Sequence, residues 1–287
     1  MMKKKRFLAS LLAGTMLLGL LAGCGSPNGA ESSGPNGGTS AAPGTSDSGG
    51  EGTYVRKTAE GTLTVGLTDT ADSFDPAVSF NSVGMQLVYD SILVKDPFTG
   101  EITSDIAESW DYTYDCTLVI QFQDDVYFSN GEKMTAEDAL YSLNRMITEN
   151  SRWSTFVDAF NFEKSSAEGQ TLTLVTDEPF GPGLNYLTTR YASVLCKSYA
   201  ESCSDEDFWD KPVGTGPYEC KENVSGSHST YTAKADYWGE APEISTITTR
   251  YYAEQSSMML DYENGDLDMA FDLSVSDADR ALNTGIE

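Results

Sequence analysis

The chain has one histidine, His228, and only 18 lysines and arginines against 44 aspartates and glutamates. Each shortage excludes something. A Ser-His or Cys-His nucleophile would have to use His228, which sits in the polar stretch "VSGSHST" and reads as a hairpin turn. Lys3, Lys4, Lys5 and Arg6 hold four of the positive charges; the rest of the chain carries 14 against 44, a balance of −30. Such a surface repels nucleic acid and anionic lipid headgroups. Cysteines number five, with no C-x-x-C pair, so no zinc or redox motif is present. Carboxylates abound, but glycoside hydrolysis needs two at a defined separation across a sugar, which sequence spacing does not supply.

The N-terminus is more specific. "MMKKKRFLASLLAGTMLLGLLAGC" has a basic start, an apolar run from Phe7 to Ala22 and small residues before a cysteine. The run is short and one-sided, so it reads as a secretory signal over 1–23 rather than a membrane span. Leu21-Ala22-Gly23-Cys24 has the form of a bacterial lipobox, with cleavage before Cys24 and lipid on its thiol and new amino end. Residues 25–53 contain nine Gly, six Ser and three Pro among 29. They cannot bury a core, and a tether is expected over 24–58, spanning on the order of 30 Å. The expected location is the outer face of the cell membrane, or the periplasm where an outer membrane exists. Cys116, Cys196, Cys203 and Cys220 remain, either as buried thiols or as two disulfides with three possible pairings.

From Thr62 the pattern becomes globular. "LTVGL" (63–67), "CTLVIQFQ" (116–123), "TLTLVT" (171–176), "STYTAKA" (229–235) and "EISTITTRYY" (243–252) read as strands. "YASVLC" (191–196) also looks strand-like. "VGMQLVYDSI" (83–92) has helical spacing. "TAEDALYSLNRMI" follows an Asn130-Gly131 turn, with Thr135 as N-cap, Asp138 in a capping box, and Leu140, Leu143 and Ile147 on one face. Short helices are expected from "GPGLNYL", through Met258–Tyr262 and over "SVSDADRAL". Mixed elements of this kind indicate an α/β or α+β fold. "PVGTGPYEC" (212–220) is not a dinucleotide loop: Pro217 has no N–H to offer and no helix follows. "DYENGDLD" (261–268) fails the calcium-loop register, because Gly265 falls fifth rather than sixth.

Six stretches, in order, resemble one family: "SFDPA", "LVYDSILVKDPFTGEITSDIAESWDYT", "LVIQFQDDVYFSNGEKMTAEDALYSLNRM", "PVGTGPYEC", "DYWGEAPEISTITTRYY" and "ENGDLDMA". The chain from about residue 60 to 287 is similar to the extracellular solute-binding proteins of peptide-type ABC importers, family 5, which includes oligopeptide, dipeptide and nickel receptors. The resemblance implies a type II periplasmic-binding-protein-like fold, two lobes closing on ligand. Lobe I would comprise 59–77 and 166–287, with an inserted subdomain over 78–165. The second lobe is expected beyond residue 287, so the chain reads as an N-terminal fragment unable to enclose a ligand by itself. "GTGPY" becomes a turn inside lobe I, with Gly214 and Gly216 expected to serve backbone shape at positive φ.

The resemblance further implies a ligand contact just after the first strand, at Thr70, Ala71, Asp72 and Ser73, with Phe80 and Asn81 lining the same cavity. Loop aspartates are also common solvated turn formers. Arg190 reads either as a fork for a ligand carboxylate or as a structural salt bridge in so acidic a chain. Trp110, Tyr237 and Trp238 read as core aromatics, and Trp153 as pocket or surface. The implied role is capture of a peptide or similar small solute by a lipid-anchored monomer that delivers it to the importer's permease subunits. No cofactor, metal, nucleic acid or covalent step is implied. A surface hydrolase using acidic residues, or an adhesin or sensor that kept the lobe without transport, are the alternatives from other classes.

Overall fold

The structure is a computed structural model, and it describes residues 60–68, 73–79, 82–149, 151–204 and 210–283. Two sheets organise them. The first has five strands in the order β11-β1-β10-β9-β8. They are β1 (Thr62–Leu67), β8 (Tyr218–Val224), β9 (His228–Ala233), β10 (Thr246–Tyr251) and β11 (Met269–Ala270). β1 runs parallel to β10 and β11, while β10, β9 and β8 alternate. The second sheet is antiparallel, in the order β4-β5-β7-β6. It contains β4 (Ala107–Tyr114), β5 (Thr117–Phe122), β6 (Ser166–Glu168) and β7 (Thr171–Val175). β2 (Leu93–Lys95) and β3 (Ile102–Ser104) form a separate ribbon.

The second sheet follows from alternation. Leu118, Ile120 and Phe122 of β5 are buried, and β7 opposes them with Leu172 and Leu174 in register, Ile120 against Leu172 and Leu118 against Leu174. α2 (Ala136–Thr148) packs on β6 and β7. Its start is built as the capping pattern requires: the Asp138 carboxylate accepts the Thr135 N–H (2.9 Å) and hydroxyl (2.7 Å). The buried face is Ala136, Ala139, Leu143 and Met146. Ile147, expected on that face, is exposed, because Met146 occupies the core position one residue earlier. The boundary expected at 165 cuts through this sheet, since β6 and β7 continue it to Val175.

Beyond it lie α3 (Gly183–Leu187), a single 3-10 turn at Arg190–Ala192 and α4 (Lys197–Ser202). The strand expected over 191–196 is not formed. The segment makes one bridge, Ser193 to Ser91, and buries Ala192, Val194 and Cys196 beside the second sheet. The first core holds Val65, Leu67, Phe74, Tyr231 and Tyr251 with Met85 and Val88 of α1 (Ser82–Val88). Gly66 faces Met258 of α5 (Gln255–Asn264) and Leu267. α6 (Val275–Asn283) is the last described helix. Residues 261–264 are helical, with Gly265 at φ +81° closing α5, so the stretch that superficially resembled a calcium loop is a helix end.

The two cores meet at Gly214-Thr215-Gly216. The Gly216 N–H donates to the Val88 carbonyl at 2.8 Å, and the Gly214 carbonyl accepts the Ser129 N–H at 3.0 Å. A Cβ on Gly214 would stand 2.1 Å from the Val88 oxygen, and one on Gly216 2.5 Å from the Val88 carbonyl carbon. Neither glycine lies at positive φ. The expectation of a left-handed backbone is corrected: these glycines are needed because main chain meets main chain.

Gly214→Ala is therefore expected to cost more than about 3 kcal/mol or to abolish folding, since backbone atoms cannot yield as a side chain does. Gly226→Ala, at φ +69° with open space around it, is expected to cost only about 1 kcal/mol. Urea unfolding of the two variants checks this; equal costs would contradict it.

Candidate functional site

The loop leaving β1 emerges at the carboxyl end of the parallel strands, where crevices of open sheets receive ligands. The Tyr252 N–H binds the Leu67 carbonyl (2.8 Å) and the Phe271 N–H the Gly66 carbonyl (3.0 Å), so the ends of β1, β10 and β11 converge there. Of the residues expected to meet ligand, Thr70, Ala71, Asp72, Phe80 and Asn81 lie outside the described residues, as does the expected lipidation site Cys24. Ser73 and Arg190 are described.

Ser73 opens a tight turn. Its hydroxyl accepts the Asp75 N–H (3.0 Å) and its carbonyl accepts the Ser79 hydroxyl (2.5 Å). The turn straddles both cores: Phe74 is buried in the first and Ala77 in the second. The Ala77 carbonyl accepts the Ser151 hydroxyl at 2.5 Å, and Ser151 Oγ accepts the Trp153 N–H at 3.1 Å. Trp153 stacks on Tyr191, ring centroids 4.6 Å apart at 25°. Arg190 lies over the other ring, its guanidinium carbon 4.9 Å from the Tyr191 centroid, and donates to the Tyr191 hydroxyl at 3.0 Å. Arg152 stands 6.0 Å from the Trp153 ring.

A bonded path thus runs from Ser73 to Arg190 through Ala77, Ser151, Trp153 and Tyr191. The salt bridge expected for Arg190 is not formed among the described residues; its planar cation rests on an aromatic face instead. A half-exposed guanidinium held in this way can offer paired N–H donors to a carboxylate. Trp153 carried no motif, and its pairing with a residue 38 positions away leaves no local trace.

The two larger clefts among the described residues lie elsewhere. One of about 530 Å³ is lined by Tyr127, Phe128, Lys234 and Trp238. The other, about 550 Å³, is lined by His228, Arg250, Tyr252 and Asp261. Ser73 and Arg190 line neither. His228 begins β9 and its ring pairs with Glu222 at 3.3 Å. Cys116, Cys196 and Cys220 are thiols, so none of the three two-disulfide pairings forms. Burial pushes the Cys220 thiol up to about 12.

Behind the first cleft sits a buried polar cluster. The Asp90 carboxylate accepts the Tyr237 hydroxyl (3.0 Å) and the Trp238 indole N–H (2.9 Å). Lys234 Nζ donates to the Thr215 carbonyl at 3.0 Å. Burial lowers the Lys234 ammonium, against the pull of Asp90, and raises the Asp90 carboxyl against its donors. Asp105, whose carboxylate accepts the Ser91 N–H at 3.1 Å, is raised from 3.8 to about 7, by burial first and then by the Asp90 charge.

Among known proteins, residues 101–286 match the family model described as bacterial extracellular solute-binding proteins, family 5 Middle. The nickel-binding protein NikA of Staphylococcus aureus is 27% identical over 186 residues, covering 64% of this chain and 36% of that one. The peptide transport periplasmic protein SapA of Salmonella typhimurium is 25% identical over 178 residues, covering 54% and 32%. The chain spans about a third of the length of these curated relatives. The crystal structure of a nickel ABC transporter from Bacillus halodurans superposes with a TM-score of 0.68 at 26% identity, over 78% of this chain and 45% of that one.

Between 3.8 and about 7 the folded state holds a proton on Asp105 that the unfolded chain releases. The contribution of this group to stability therefore falls as pH rises through that window and levels off above it. Asp105→Asn keeps an amide oxygen for the Ser91 N–H. It is expected to flatten the slope and to exceed the wild type above about pH 7 by more than about 1 kcal/mol. Thermal denaturation across the range measures this, and an unchanged slope would contradict it.

Proposed function

Because the chain belongs to the bacterial extracellular solute-binding proteins of family 5, we propose that it captures a peptide or a solute of similar size and delivers it to the permease of an ABC importer. Arg190 carries this reading: a half-exposed guanidinium on an aromatic stack, tied by continuous contacts to the Ser73 turn. A free carboxylate is the ligand group that such a cation recognises. Thr70, Ala71, Asp72 and Ser73 present backbone and side chains to the solute, with Phe80 and Asn81 lining the same cavity. Specificity comes from hydrogen bonds to the solute's polar groups in a wet, adaptable cavity.

In this reading the first sheet and its helices form lobe I, and the second sheet forms the subdomain inserted in it. The process is binding and release, with no covalent step. The protein acts as a monomer at the outer face of the membrane, held by lipid on Cys24 through the tether of 24–58. No described helix is long and apolar enough to cross a membrane. The relatives named for nickel and for peptide transport mark the two solute classes to be separated.

Native mass spectrometry of the full-length receptor, with both lobes of the binding fold present, offers the test, with an equimolar mixture of dipeptides, tripeptides and nickel–histidine complex. A peptide mass increment is expected, with the peptide released unchanged. Arg190→Ala is expected to lower occupancy about tenfold, the size of one charge-assisted hydrogen bond. No increment, or conversion of the peptide to smaller products, would overturn the reading.

A further inference from the structure

The turn that begins at Ser73 has a negative charge at its centre. Val78 and Ser79 donate their N–H groups to the Asp75 carbonyl (3.1 and 2.8 Å), and Asp75 Oδ1 accepts the Ala77 N–H at 2.9 Å. The last of these bonds uses the side-chain carboxylate, and Asp75 is only 5% exposed. A buried carboxylate without a countercharge is costly, and turning outward to water relieves that cost. That movement would release the Ala77 N–H and, with it, the shape of the turn.

The countercharge is Arg145, near the end of α2. Its Nη1 lies 2.5 Å from Asp75 Oδ1, and the two side chains are 13% and 7% exposed. Its helix is a fixed base. Asp138 Oδ1 accepts the Lys197 N–H at 2.9 Å, and Ser142 Oγ accepts the Leu195 N–H at 2.8 Å. Tyr141 of α2 and Glu149 at its C-cap face the guanidinium, and Tyr89, just after α1, faces the ion pair from the first core. One element of the second core thus fixes a turn whose Phe74 is buried in the first.

We infer that Arg145 is a positioning residue for the solute site: it touches no solute, and acts through Asp75 to hold Ser73 in place. This rests on the reading that Ser73 meets the solute. The planar fork matters as well as the charge, because a lysine ammonium at this position is a point donor on a differently shaped stem.

The test compares the full-length wild type, Arg145→Lys and the double variant Asp75→Asn/Arg145→Met. The double variant removes both charges, so no lone ion is left buried and the fold is expected to be retained, as unchanged β5 exchange would show. Amide hydrogen exchange is followed by mass spectrometry, and occupancy by the peptide mixture by native mass spectrometry. In the double variant, exchange over 73–79 is expected to quicken by about tenfold or more, with β5 amides within about twofold of wild type. Peptide occupancy is expected to fall by at least about fivefold, with Arg145→Lys in between. Unchanged exchange over 73–79 overturns the inference. So does quickened exchange with occupancy held within about twofold, which makes the pair structural only. If the wild type takes up no peptide, the reading of function fails, and the exchange result alone decides whether Arg145 holds the turn.

Discussion

Main chain packed directly on main chain, Gly214-Thr215-Gly216 against Val88, is the constraint from which much of the structure follows. The contact buries carbonyl groups that water would otherwise satisfy, and buried acceptors need donors. Ser129 supplies one to Gly214 and Lys234 supplies one to Thr215. A buried ammonium is costly in turn, and the Asp90 charge offsets part of that cost. The Asp90 carboxylate then needs its own donors, which Tyr237 and Trp238 provide. The run "GTGPY", the lysine at 234 and the pair Tyr237-Trp238 are thus one chain of consequences. The same contact joins α1 of the first core to the loop at 129 beside the second.

Much of the secondary structure was legible because it depends on local periodicity. Leu118, Ile120 and Phe122 alternate inward as their spacing requires, and Thr135 with Asp138 starts α2. What failed depended on contacts distant in sequence. Whether Gly214 is a turn former or a point of close approach depends on Val88, some 126 residues earlier. The inward face of α2 ends on Met146 rather than Ile147, which is exposed. Ala192, Val194 and Cys196 are apolar and buried without belonging to a strand, since burial beside a sheet does not require pairing with it.

The candidate site was half legible. Ser73 was expected from the stretch after the first strand, and Arg190 as a fork for a ligand carboxylate. The residues that connect them, Ser151 and Trp153, gave no signal because they act through single long-range contacts. At Arg190 excess acid suggested an ion pair, and none forms among the described residues. The chain places a tyrosine face under the guanidinium instead, which leaves the donors free of a competing carboxylate among the described residues.

The central claim is that solute is met at the Ser73 turn and the Arg190 stack rather than at either of the larger clefts. The most direct measurement is a difference map of amide hydrogen exchange for the full chain with and without a saturating peptide mixture. The account predicts slowed exchange over 73–79 and 190–193. Protection confined to the cleft lined by Lys234 and Trp238, or to the groove beside His228 and Arg250, would contradict it.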